Sequence, residues 1–135
     1  MVPSWTRRSG PSDCVADTNK NRRERRLADI VKHARAARET LAPLSRTDFL
    51  RDTIVQKAVC FDLLCVSEAT ARLLDLDAGI AERYPEVPWP QVRAIANVLR
   101  HEYDRIDIEI VWDTVTMGDL DSLTAAVAHE LELFE

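Results

Sequence analysis

From Arg22 onward, apolar residues recur at intervals of three and four: Leu27, Ile30 and Val31, Ala34, Ala37, Leu41. That spacing lays them along one side of a 3.6-residue helix, whereas a strand would need a period of two. A similar period returns over residues 52–76 and 90–103. Three glycines among 135 residues leave little turn chemistry between such segments, which argues against a many-stranded sandwich or barrel. No run of about 18 uncharged apolar residues occurs, so no membrane-spanning helix is expected. The length suits one domain with a real core. The expectation is an all-α, up-and-down bundle of about five helices over residues 21–135, preceded by a flexible tail over 1–20.

Helix boundaries follow from local chemistry. Pro43 ends the first period, and Ser45 or Thr47 caps a short turn around Phe49 and Leu50. In the 52–76 segment, Ile54, Val55, Ala58, Phe61, Cys65, Ala69 and Leu73 form one stripe. Leu63, Leu64, Val66 and Leu74 widen it beyond one face. A helix apolar on two sides lies between layers or at a subunit interface. Glu68 falls within it, read either as an exposed, locally paired carboxylate or as one with a partner across the core. Pro85, Pro88 and Pro90 punctuate the chain, with Pro90 placed to open the next helix. Asp107 is the expected cap of a further helix, and Asp119 or Asp121 the cap of the last.

Charge is distributed unevenly. Residues 106–135 hold eight acids and no Lys or Arg, while the first 105 carry 18 basic and 15 acidic residues. The basic ones concentrate in Lys20–Arg26, as a solvated helix start or as a local face for RNA or phosphate. Cys14, Cys60 and Cys65 lack metal-ligand spacing, and Cys60 and Cys65, in an apolar helical stretch, read as reduced core residues of a cytoplasmic protein. His33, His101 and His129 have no Cys or His partner at ligand spacing, and no metal or other cofactor is expected.

At 100° per residue, the 90–103 helix separates into two sides. Val92, Ile95, Ala96, Val98, Leu99 and Tyr103 fall on one, and Arg93, Asn97, Arg100 and Asp104 on the other, with His101 at the margin. Arg, Asn and His together suit a phosphate: guanidinium grips its oxygens in a fork, the amide orients it, and imidazole exchanges a proton near neutral pH. A plain solvated helix face carries the same residues.

Three stretches then narrow the choice: Tyr84-Pro-Glu-Val-Pro-Trp89, Asn97-Val-Leu-Arg-His-Glu-Tyr103, and Asp107-Ile-Glu-Ile-Val-Trp-Asp-Thr-Val-Thr116. In this order and spacing they resemble the HepT-like branch of the HEPN proteins. Residues 52–69 are similar to that family's second long helix, and the likeness spans about residues 22–133. The resemblance implies an all-α homodimer and a metal-independent endoribonuclease toxin acting on RNA. It also implies a minimal nucleotidyltransferase (MNT) antitoxin as partner. The family motif is Arg, four residues, His, one residue, Tyr. His101 and Tyr103 match it, Tyr103 being the position that the antitoxin modifies with AMP, while the Arg position falls on Ala96. Arg93 and Arg100 are the candidate replacements, with His101 as general base and Asn97 positioning the phosphate. The alternatives are a catalytically degenerate HEPN-fold partner that binds RNA or the nucleotidyltransferase, and a helical dimerisation module.

The cysteine reading is tested directly. Thiol titration of the denatured, unreduced protein should find three free thiols per chain; one would mean a disulfide.

Overall fold

The computed structural model describes residues 18–101 and 105–133. Residues 1–17 of the expected tail, Cys14 among them, lie outside that range. The described residues form seven helices with no strand among them: α1 (Asn19–Leu41), α2 (Arg46–Arg51), α3 (Thr53–Leu76), α4 (Ile80–Arg83), α5 (Trp89–His101), α6 (Ile108–Thr116) and α7 (Asp119–Glu132). Five are nine residues or longer, as the periodicity predicts; α2 and α4 are short turns of helix in the connections.

Most helices begin where a side chain can accept a free backbone N–H. Thr18 caps α1 through Asn21 N, so the helix starts three residues before the apolar period does. Ser45 and Asp48 form a reciprocal capping box on α2, Asp52 caps α3, and Asp107 caps α6. The last helix departs from expectation. Its cap is Gly118, at φ 101°, and Asp119 and Asp121 lie inside the first turn. The left-handed backbone there reverses the chain between α6 and α7, and glycine adopts it without a Cβ penalty. The two acids sit where the positive end of the helix dipole favours them.

Cross-helix pairs fix the order of the bundle. His33 with Asp62 and Arg23 with Asp77 set α1 antiparallel to α3. Arg23 with Glu130 and Arg38 with Asp121 set α7 antiparallel to α1 on its other flank. Helix α5 runs antiparallel to α3, so the long helices lie α5, α3, α1, α7, with α6 packed on α7. The core joins Leu27, Ile30, Ala34 and Phe49 to Val59, Leu63, Val66 and Leu73, and to Leu120, Leu123 and Val127 of α7. Helix α3 thus buries Val59, Leu63, Val66 and Leu73, while Ile54 and Phe61 of the predicted stripe point outward at 81% and 60% exposure. Both stripes are apolar, and α1 and α5 occupy opposite flanks of the helix, so only tertiary packing selects which stripe is buried.

One end of the bundle is closed by charge. Glu130, 2% exposed, accepts from Arg23 Nη2 at 3.2 Å and from Arg83 Nε at 2.8 Å. Asp77 accepts from Arg23 Nε at 2.9 Å and from Arg83 Nη2 at 2.7 Å. This network ties α1, the α3–α4 turn and α7 together. Burial alone would raise the Asp77 carboxyl, but the hydrogen bonds from Arg83 and Arg23 outweigh it and hold the group below its ordinary value. Beside it, Tyr84 Oη and His129 Nδ1 lie 2.5 Å apart, and Trp89 Nε1 donates to the Tyr84 carbonyl at 3.0 Å.

Removing one partner from a buried ion network strands the remaining charges. Glu130→Ala should cost about 3–5 kcal/mol in urea unfolding. Because Asp77 has a lowered folded pKa, its contribution is complete above the unfolded value of 3.8 and is lost as pH falls through the lower folded value. Acid titration of stability in the Asp77→Asn variant should lack that component.

Candidate active site

Helix α5 is amphipathic along its whole length. Trp89, Val92 and Ala96 are buried against α3, Ile95 and Leu99 are half-buried, and Arg93, Asn97, Arg100 and His101 are exposed. The anchor is Ser67 of α3, which is fully buried. Its hydroxyl donates to the Arg93 carbonyl at 3.0 Å and accepts from the Ala96 N–H at 2.9 Å. One side chain thereby holds two backbone groups of α5 and fixes both the rotation and the axial position of that helix. A hydroxyl within an apolar stretch is the signal in the sequence, although its partner is backbone and therefore invisible there.

With α5 so held, the polar ridge takes a definite form. Arg100 Nη1 pairs with Glu68 Oε1 of α3, and Arg100 Nη2 donates to Asn97 Oδ1 at 3.0 Å. Glu68 is therefore paired at the surface with a neighbouring helix, neither locally within α3 nor across the core. Arg93 lies two turns from this cluster and approaches Asp75 of α3 at 3.8 Å. His101 is exposed as the last residue of α5. The structure thus joins Arg100 and Asn97, with His101 adjacent in the chain, and sets Arg93 apart. Tyr103 and Asp104 lie outside the described residues.

Ala96, the position of the missing motif arginine, is 3% exposed and faces Ser67. Arg100 lies four residues on, 40° around the helix from Ala96 and about 6 Å along its axis. A guanidinium therefore remains on nearly the same stripe, displaced by one turn. Val98 was expected on the apolar side; it is instead 53% exposed, on the rim of a groove of about 350 Å³ lined also by Ile95, Leu99, Ile106 and Ile110.

On the opposite flank of α3, His33 Nδ1 lies 2.9 Å from Asp62 Oδ1, with the Phe61 ring edge-on to the imidazole. Nearby, Cys65 has its thiol pushed up, first by burial and then by Asp62, and burial also raises Cys60. Both disfavour the thiolate, so neither cysteine is an activated nucleophile. Both are free.

The sequence profile of the ribonuclease HepT-like family matches residues 30–130, three quarters of the chain. A protein from Methanocaldococcus jannaschii, named as a candidate RNase, is 32% identical over 89 residues, covering 66% of this chain and 71% of its own. A second candidate RNase, from Caldanaerobacter subterraneus subsp. tengcongensis, is 26% identical over 89 residues, covering 66% of this chain and 77% of its own. A protein from Thermococcus cleftensis, named as a candidate ribonuclease HepT, is 29% identical over 97 residues, covering 72% and 84%. No solved structure matches the chain. The all-α bundle and this profile place the chain in a defined class of helical domains, the HEPN proteins. Within that class, it belongs to the HepT-like family.

Position 96 gives a stability test. Ala96→Arg must force a long cation between α5 and Ser67, and overpacking typically costs about 1–3 kcal/mol before any charge burial. A lowered urea midpoint is expected; an unchanged one would show that α5 can turn to let the arginine out.

Proposed function

We propose that the protein is a HepT-type endoribonuclease whose catalytic arginine has moved one turn along α5. The carrying observation is the cluster of Arg100 and Asn97, hydrogen-bonded to each other beside the exposed His101. RNA supplies its own nucleophile in the 2′-hydroxyl. His101 accepts the hydroxyl proton, the 2′-oxygen bonds to the adjacent phosphorus, and the bond from phosphorus to the 5′-oxygen breaks. The leaving oxygen takes a proton from water, giving a 2′,3′-cyclic phosphate and a 5′-hydroxyl. Arg100 exchanges Glu68 for the non-bridging oxygens and stabilises the charge that develops there, while Asn97 orients the phosphate. Neither role requires a metal.

Family membership supports this reading, as do the ribonuclease names of the relatives. The same membership supports pairing with a nucleotidyltransferase antitoxin and AMP transfer to Tyr103. A homodimer would cover the outward apolar side chains of α5 and α6, Val98 and Ile110. The second reading, an RNA-binding partner without catalysis, rests on the alanine at position 96.

Cleavage of a labelled RNA separates the two. Activity should persist in EDTA. His101→Ala should lower it by about 10²–10⁴-fold and Arg100→Ala by about 10²–10³-fold, with a smaller loss for Arg93→Ala. A folded protein inert on every RNA tried would leave the binding reading.

A further inference from the structure

The basic residues of α1 are not equivalent. Arg23 turns inward to Asp77 and Glu130 and belongs to the buried network. Arg22 and Arg26 share another edge of the helix with Asp29 and His33, at steps of four, three and four residues. His33 contacts Phe61 and Asp62, so this edge borders the outer face of α3. On α3 the outward residues follow the same spacing: Phe61, Cys65, Glu68, Arg72. The helices are antiparallel, and the contact of His33 with Phe61 fixes their register. Asp29 then falls level with Cys65, whose thiol feels its charge, Arg26 with Glu68, and Arg22 with Arg72. Beyond Glu68 lies Arg100 of α5, and beyond Asp75 lies Arg93.

Five guanidiniums, those of Arg22, Arg26, Arg72, Arg93 and Arg100, thus border one outer surface made by three helices. The facing carboxylates are Asp29, 3.9 Å from Arg26, Asp62 beside His33, Glu68 and Asp75. Arg72 is exposed and makes no ion pair among the described residues. Meanwhile α6 and α7 carry six acids and no Lys or Arg. The arginines and the acids are therefore segregated, with the arginine-rich side continuous with the His101 ridge.

We infer that this surface is a binding track for the RNA strand flanking the scissile phosphate, with Arg26 and Arg72 holding successive backbone phosphates. The inference rests on the ribonuclease reading for its ligand. Its geometry is independent of which residue does the chemistry. From Glu68 to Arg72 is about 6 Å along α3, so the track extends the site lengthwise toward the start of α1. A polyanion with regularly spaced charges fits a row of separated guanidiniums better than a single phosphate does.

The test is binding of a fluorescent single-stranded 2′-O-methyl RNA to the full chain over a salt series. Methylation removes the nucleophile, so binding is read without cleavage. The Arg26→Gln/Arg72→Gln double variant should bind about tenfold more weakly at low salt. Its slope of log affinity against log salt should fall by about 1.4, or roughly 0.7 for each phosphate that the variant leaves unneutralised. Arg35→Gln, two residues from His33 and so on the far side of α1, removes one charge off the track and should leave binding as in the wild type. Equal losses in both variants would reduce the effect to net charge and overturn the track. So would a double variant that binds normally, or displacement of the RNA by polyglutamate at equal charge concentration, which would point to an acidic protein partner. The outcomes separate the two proposals. Track-dependent binding with no cleavage of unmodified RNA sinks the nuclease alone, and cleavage with unchanged binding in the double variant sinks the track alone.

Discussion

The hydroxyl of Ser67, buried between α3 and α5, donates to the Arg93 carbonyl and accepts from the Ala96 N–H. Apolar contacts between two helices tolerate sliding and rotation, because dispersion has little directional preference. A hydrogen bond to two specific backbone groups does not. The polar ridge of α5 therefore has one orientation, with Arg100 reaching Glu68 and His101 left at the exposed end. A small side chain at position 96 is part of the same arrangement, since the α5 backbone must come close enough to meet Ser67.

This contact gives a physical account of the departure from the family motif. The motif position is committed to the α3 contact and carries no cation. Arg100, one turn further on nearly the same stripe, is held by Glu68 and Asn97. The carboxylate keeps the guanidinium extended along the surface, and in the proposed function it is the group that an incoming phosphate displaces. Both partners are partly exposed, at 51% and 39%, so the pair is weak enough to exchange.

The buried ion network and the exposed arginines occupy different parts of the bundle. The Arg23–Asp77–Arg83–Glu130 network closes the end where α1 begins and α7 finishes, and it holds Glu130, the most buried charge among the described residues. The ridge of α5 and the outer edges of α1 and α3 keep their arginines accessible. Similar side chains thus serve two purposes, and depth of burial separates them.

Helix count, most of the caps and the family were written in the sequence, because period, capping chemistry and motif spacing are local. The polar side of α5 was also readable, since 100° per residue places Arg93, Asn97 and Arg100 together wherever the helix packs. Three things were not. The buried stripe of α3 depended on which neighbours flank it, and two apolar stripes look alike in one dimension. The role of Ser67 depended on backbone groups 26 and 29 residues away. The separate ion pairs of Arg93 and Arg100 depended on where α3 placed Asp75 and Glu68. Local spacing determines which residues share a helix face; only the packing of one helix on another decides which charge that face meets.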